Sequence, residues 1–403
     1  MLPITNHLSC TEPLDEFESL SYHQTLHAKT YITGLAAARS KTCKGIAREV
    51  LPANSERALN KFLTEYDWDE KQLNHERLEE LQNHGETRWS QDGYIIIDDS
   101  VTQRTGEELP GVGRFYDHSE GETVWGQNLV YAFYTDDKTA YPLTFRQYEK
   151  RDDEDEDETK YKLAREIITE LEDEVGVPAD TYLFDAWFAH DSGLIKHVES
   201  YGKDWVGPLR SNRQVTYDNE EIRVDALEER IDKTEREVDD DTYKIWTQKR
   251  PVSKLGEVKV LIAEKVTDDE DEENPVKYLA TNKIDAPSAH VIRTYSYRWR
   301  IETFFEDSKQ DLGLGDCEVR DGEGASRHWH LQMLTYSLFR LGHESSASER
   351  LTSKASSLRA QLEHGLKEVV YNLFSWVRDQ PKRDLDGLME EIDHLFIHSE
   401  GSL

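Results

Sequence analysis

The order of elements along the chain predicts a mixed α/β protein. Three observations carry that prediction. Tyr94-Ile95-Ile96-Ile97 and Tyr182-Leu183-Phe184 are short apolar runs of the kind buried strands show, and each stops at acidic residues. Between them lie two aromatic and β-branched runs, residues 124–134 and 141–148, split by the turn Thr135-Asp-Asp-Lys138, which reads as a hairpin. Residues 160–175 repeat apolar side chains at helical spacing (Leu163, Ile167, Ile168, Leu171, Val175) and are closed by Gly176 and Pro178.

The rest of the chain extends this pattern. Residues 207–285 read as a strand-rich stretch, with Ile222-Arg-Val224, 243–246, 258–262 and Tyr278-Leu279 separated by acidic turns that include 268–273. A long helix follows from Ala289 to about Gly313, another spans 328–341, and 358–377 closes the chain as helix. The acidic run 152–158 is a solvated loop to which no chemistry is assigned. No internal repeat is present.

Composition bounds the function. The chain has 403 residues, 36% of them hydrophobic, which is enough for two or three domains with real cores. The cysteines Cys10, Cys43 and Cys317 are odd in number and form no CxxC pair, so neither a disulfide framework nor a Cys-rich zinc site is indicated. No window approaches the ~20 apolar residues of a membrane span, and the N-terminus lacks a basic-then-apolar leader, so a cytoplasmic protein with no membrane partner is expected. Lys and Arg number 49 against 82 Asp and Glu, a formal charge of −33. Such a charge ordinarily repels nucleic acid. Acids spread along the whole chain are also what a salt-saturated cytoplasm favours, because at 1 M salt the Debye length is only ~3 Å. The acidity therefore reads as halophilic adaptation and says little about the ligand.

Against that background the N-terminal basic stretch stands out. From Ser21 to Lys61 the positives are Lys29, Arg39, Lys41, Lys44, Arg48, Arg57 and Lys61, and the negatives are Glu49 and Glu56. Ser55 is placed to cap a helix carrying Ala58, Leu59, Phe62 and Leu63, with Pro52-Ala-Asn as the break before it. A small helical DNA-binding module using Arg57 and Lys61 is one reading. A helical cap whose basic face is incidental is the other.

The strongest local signal is the helix around Glu302. Tyr295, Arg298, Glu302 and Lys309 fall within one narrow polar stripe at helical spacing, beside a core face of Ile301, Phe304, Phe305 and Leu312. A carboxylate flanked by two cations and a phenol suits a site that handles both a divalent metal and a phosphodiester. The plainer reading is a solvated helix face with i,i+4 pairing of Arg298 and Glu302.

Tyr295-Ser-Tyr-Arg298-Trp-Arg-Ile-Glu302, with Lys309 seven residues on, resembles the Y-x2-R-x3-E-x6-K signature of cut-and-paste DDE transposases encoded by prokaryotic insertion sequences, here of haloarchaeal type. Asp185-Ala-Trp-Phe188 is similar to the string around the second acid in one branch of that family. The resemblance implies an RNase H-like catalytic core (91–206 and 286–345) interrupted by the β-strand-rich insertion (207–285). A helical DNA-binding region (1–90) would precede the core and a C-terminal helical region (346–403) would follow it. It implies Asp98, Asp185 and Glu302 as catalytic acids holding two Mg²⁺ ions, or Mn²⁺ in their place, with Asp99 as the alternative first acid. Tyr295, Arg298, Arg300 and Lys309 would contact DNA, and Trp299 or Trp187 would stack on an unpaired base if a hairpin intermediate forms, core packing being the other use of either ring. The partners implied are double-stranded DNA, as terminal inverted repeats and as target, and a second copy of the chain on paired ends. Two rivals stay open: an RNase H-like nuclease or resolvase without strand transfer, and a non-catalytic DNA-binding protein derived from a transposase.

Overall fold

The computed structural model describes residues 4–51, 55–104, 106, 109–117, 121–149, 159–267, 276–341 and 358–379. Four helices open the chain, α1 (Tyr22–Ala37), α2 (Cys43–Glu49), α3 (Glu56–Thr64) and α4 (Glu70–Asn83). Strands β1 (Tyr94–Gln103), β2 (Gly113–Asp117), β3 (Glu122–Thr135) and β4 (Ala140–Tyr148) follow, then α5 (Lys160–Thr169), β5 (Thr181–Phe184), α6 (Ser192–Ser200) and β6 (Asp204–Pro208). Next come β7 (Gln214–Tyr217), β8 (Glu220–Arg223), α7 (Val224–Glu228), β9 (Thr234–Val238), β10 (Asp241–Val252), β11 (Gly256–Val266) and β12 (Lys277–Thr281). Helices α8 (Ser288–Ser296), α9 (Trp299–Gln310), α10 (Gly322–Leu341) and α11 (Leu358–Asp379) complete the described chain.

Two compact units result. The first is Met1–Arg88 with Thr102–Arg114 and Phe304–Leu403, and the second is Trp89–Val101 with Phe115–Thr303. In the first unit α10 is buried along most of its length and collects the N-terminal helices by hydrogen bonds. Arg77 Nη1 donates to Ser337 Oγ at 2.6 Å, and Arg327 donates to the Leu63 and Trp68 carbonyls at 3.0 and 2.9 Å. The Ser55 hydroxyl accepts from the Ala58 N–H at 3.3 Å and starts α3, whose Leu59, Phe62 and Leu63 are buried.

The second unit is built on a large mixed sheet of order β2-β3-β1-β5-β6-β12-β11-β10-β7-β8, with β4 added on β3 and β9 on β10. The β1, β5 and β6 strands run parallel, while β6, β12, β11, β10, β7 and β8 pair antiparallel. This split explains the sequence. Ile95, Ile96 and Ile97 are completely buried in a strand flanked on both sides, which is why the run is continuous rather than alternating. The β3–β4 hairpin closes as the turn residues dictate, with Asp136 Oδ1 accepting from the N–H groups of Lys138 and Thr139, both at 2.8 Å.

Several expectations need correction. The first strand does not stop at Asp98-Asp99-Ser100 but runs on to Gln103, because Ser100 and Thr102 stay buried within it, at 5% and 1% exposure. Residues 160–175 begin as α-helix and finish as a π-helix over Glu170–Val175, ended by Gly176 at φ +72°. Val224 starts α7 instead of ending a strand, and the helix expected from residue 328 already begins at Gly322. The helix expected from 289 to about 313 is two helices, α8 and α9. Tyr297, Arg298, Arg300 and Ile301 donate to the carbonyls three residues back, at 3.0–3.2 Å, so the chain tightens to about three residues per turn at the junction. The Pro52-Ala-Asn break, the acidic run 152–158 and the turn 268–273 lie outside the described residues, as do 342–357 and 380–403. Among the described residues no helix is long and apolar enough to cross a membrane.

Candidate catalytic centre

Strand pairing brings two acids together. The β1 and β5 strands are in parallel register through Ile97 and Phe184, so Asp98 and Asp185 each occupy the next position on neighbouring strands about 4.8 Å apart. The β5 strand ends there. Asp185 Oδ1 accepts from the N–H groups of Trp187 and Phe188 at 3.0 and 2.7 Å, which turns the chain into the short 3-10 helix Phe188–His190.

The adjacent pair Asp98 and Asp99 divides the labour. Asp98 Oδ2 accepts from Arg298 Nη1 at 2.9 Å, and its Oδ1 accepts from the Asp99 N–H at 2.8 Å. Asp99 instead accepts from Lys160 Nζ at 2.7 Å and Asn128 Nδ2 at 2.6 Å, so its charge is already answered by local groups. Lys160 also stands 5.2 Å from the centre of the Trp187 ring, whose face stacks on Tyr161 at 4.0 Å.

Arg298, at the tightened α8–α9 junction, joins the strand acids to the helix acid. Its Nη2 donates to Glu302 Oε1 while Nη1 holds Asp98, and its guanidinium lies 5.8 Å from the centre of the Tyr295 ring. The Arg298–Glu302 pair is thus the i,i+4 pair that an ordinary surface helix would show, but with a third partner 200 residues away in sequence.

The electrostatics are those of an acidic pair short of positive charge. Burial first, and then the neighbouring Asp185, push the Asp98 carboxyl well above the ordinary range, against the pull of Arg298. Burial likewise raises Asp185; the Phe188 and Trp187 N–H groups and Arg298 oppose this, and the nearby Asp99 adds to it. Burial works against the Arg298 charge too, but Tyr295, Asp98 and Glu302 outweigh it and hold this side chain firmly protonated. The Tyr295 phenol is raised by burial and remains a proton donor.

These carboxylates have the chemistry a divalent cation takes, but the described residues do not gather three of them around one point. Carboxylate oxygens are hard ligands of the kind Mg²⁺ and Mn²⁺ take, and two buried carboxyls that repel each other gain most from an added positive charge. In the described arrangement the guanidinium of Arg298 stands in for such a charge between Asp98 and Glu302. Among the described residues no three or more His, Cys, Asp or Glu side chains stand together closely enough to hold a metal ion.

Other residues singled out by the sequence lie elsewhere. Arg300 turns back to the β3–β4 hairpin, donating to Thr135 Oγ1 at 2.9 Å and to the Asp136 carbonyl, with the Tyr297 ring centre 4.9 Å away. Lys309 is on the last turn of α9, seven residues and two turns from Glu302 on the same face. Arg57 is exposed on α3 and Lys61 pairs with Glu65 at 2.7 Å, both in the first unit. The basic stretch around them is not one surface. Lys29 is buried on Asp15 at 2.6 Å, and burial pulls Lys41 down to about 8. Trp299 is 67% exposed at the start of α9.

Sequence reasoning missed Asn128, Lys160 and Tyr161. Asn128 left a signal, a carboxamide 1% exposed inside the apolar run of β3. Lys160 left a weaker one, the first base after an acidic run.

The structure is thus a mixed α/β protein whose large sheet carries paired acids on adjacent parallel strands, with Arg298 linking Asp98 to Glu302. The family described as DDE superfamily endonuclease matches residues 17–244, more than half of the chain, and the protein belongs to that family. The match includes Asp98 and Asp185 and ends before the α8–α9 stripe. Among curated proteins none matches. Membership brings a nuclease- or transposase-like activity and DNA as substrate.

Proposed function

We propose that the protein is a transposase that cleaves DNA at the ends of an insertion sequence and joins the freed ends to target DNA. The observations that carry this reading are Asp98 and Asp185 at matching positions on paired strands and Arg298 bridging Asp98 to Glu302, which lie 200 and 4 residues from it in sequence. Asp98 is the first acid, since Asp99 is committed to Lys160 and Asn128. Asp98, Asp185 and Glu302 would together hold two Mg²⁺ ions, or Mn²⁺, which when bound activate an attacking oxygen and stabilise a leaving one.

The chain's own residues position the DNA. Were cations to take over its charge on the carboxylates, the planar fork of Arg298 would suit a backbone phosphate. Tyr295 donates its phenolic proton to the same strand, and Lys309 adds a second cation along the helix face. The first 90 residues serve as a helical DNA-binding region with Arg57 exposed for contact, the core is RNase H-like, and two copies act on paired ends. The charge of −33 suits a salt-rich cytoplasm, so circular dichroism should fall as KCl drops from molar to dilute, and a spectrum unchanged in dilute buffer would contradict that assignment.

The test uses purified protein in molar KCl with duplexes carrying the inverted repeats that flank its own coding sequence, with Mg²⁺, Mn²⁺ or EDTA, beside Glu302→Gln. Metal-dependent joining that Glu302→Gln abolishes while DNA binding persists is the expected result. Hydrolysis without joining would identify a nuclease, and binding without cleavage under any metal would identify a repurposed binder.

A further inference from the structure

Arg213 breaks the rule that buried charges are paired. It ends the turn Arg210-Ser-Asn-Arg213 between β6 and β7, its N–H 2.8 Å from the Arg210 carbonyl and its own carbonyl 2.9 Å from the Val224 N–H. The residue is 6% exposed. Its Nη1 approaches His190 Nδ1 at 3.2 Å and the His190 carbonyl at 3.3 Å. Its Nε and Nη2, the side-on edge of the guanidinium, are buried with no hydrogen-bond partner among the described residues. That edge is one of the two that grip a phosphate or carboxylate through paired N–H groups.

The surroundings are cationic in an acidic protein. Beyond burial, the charge that acts on Arg213 is Arg210, and Arg210, Arg213 and Lys254 together act on His190. Lys254 sits in the β10–β11 turn at φ +66°, and the Ser253 N–H ties that turn to the Gln214 carbonyl at 2.9 Å, one residue from Arg213. Asp191, the acid facing His190, caps α6 at the Leu194 N–H and stands 3.5 Å from Arg165.

This cluster adjoins the second acid of the centre. His190 ends the 3-10 turn that follows Asp185, and Gly207 of β6 seats that turn so closely that an added Cβ would stand 2.7 Å from Ala189 Cβ. Tyr161, stacked on Trp187, is influenced by both Arg210 and Asp185.

We propose that Arg213, with Arg210, Lys254 and His190, forms a subsite for a backbone phosphate of the DNA beside Asp185. The proposal rests on the reading of DNA as substrate. The unpartnered edge is shut from bulk water in the free protein, so a phosphate reaches it as neighbouring side chains part, and the long stems of half-buried Arg210 and exposed Lys254 can do so. An ordered water on the same two donors is the competing occupant.

The test measures binding of a labelled terminal-repeat duplex over a KCl series for wild type, Arg213→Met, Arg210→Ala and Lys254→Ala, with a melting curve for each. Arg213→Met should weaken binding by roughly tenfold or more, flatten the slope of log affinity against log salt by about 1, and melt no lower than wild type, since an apolar chain replaces an unpaired buried charge. Arg210→Ala and Lys254→Ala should each flatten the slope by about 1 as well. A folded Arg213→Met with wild-type affinity and slope would overturn the proposal and assign the donors to water. Should Arg213→Met fail to fold, the other two variants decide, and unchanged slopes overturn it. Wild type that binds no duplex overturns the DNA reading itself, whereas wild type that binds while all three variants match it overturns the subsite alone.

Discussion

Two buried polar networks, one in each unit, are built on opposite principles. In the helical unit the Tyr31 hydroxyl lies 2.9 Å from His328 Nδ1, and His328 Nε2 lies 2.9 Å from the Gly313 carbonyl. A carbonyl only accepts, so Nε2 donates and Nδ1 accepts from Tyr31, leaving a neutral chain with each of these contacts satisfied. In the sheet unit Asp98 and Asp185 repel each other under burial, and Arg213 keeps two donors with no hydrogen-bond partner among the described residues. The first network is closed, satisfied by the chain itself, whereas the second is open: the carboxyl pair and the Arg213 edge would gain from an added cation and an added anion respectively.

The largest expected effect breaks the open network. Asp98→Asn or Glu302→Gln should cost DNA cleavage at least about a thousandfold, ~4 kcal/mol of barrier, while Asp99→Asn, which leaves the acid pair intact, should cost about tenfold or less. Equal losses at Asp98 and Asp99, read from single-turnover cleavage, would remove the distinction between them.

The closed network should yield stability instead. His328→Ala leaves a hole and strands the Tyr31 hydroxyl, while the Gly313 carbonyl keeps the Asp316 N–H, for a loss of about 3 kcal/mol in denaturant melts with catalysis per folded molecule unchanged. Its pH dependence has a definite sign. Burial lowers His328 to about 3 from the 6.5 of a free imidazole, so the unfolded chain takes up this proton first. The contribution of this residue to stability is full above pH 6.5 and is lost below it, by up to ~1.4 kcal/mol per pH unit. His328→Gln should flatten that part of the profile, and an identical slope in the variant would show that the imidazole is not held neutral.

A smaller effect is expected at Gly207. An alanine there meets Ala189 Cβ at 2.7 Å, so thermal melts should show a loss of roughly 1–3 kcal/mol, together with weaker cleavage because the turn after Asp185 shifts. The smallest belongs to the exposed Lys61–Glu65 pair, where Lys61→Ala should change stability by less than about 0.5 kcal/mol.

How much of this could be read from the sequence depended on whether a feature was local. The Ile95–Ile97 and Tyr182–Phe184 runs announce buried strands because both faces of a central parallel strand are covered, and Ser55 announces its helix because a cap acts within three residues. The α8–α9 break was not legible: tightening the hydrogen bonds by one residue leaves no mark on composition. Nor was the contact of Arg298 with Asp98, which the sequence separates by 200 positions. Arg213 reads as one more base near a turn, and its isolation is a property of what surrounds it.

Titration with Mn²⁺, followed by electron paramagnetic resonance in molar KCl, tests the central claim most directly because it needs no turnover. Wild type and Asp99→Asn should bind the ion tightly, and folded Asp98→Asn and Asp185→Asn should not. Equal Mn²⁺ binding by wild type and both of those variants would contradict the assignment of these carboxylates as the cation-holding centre.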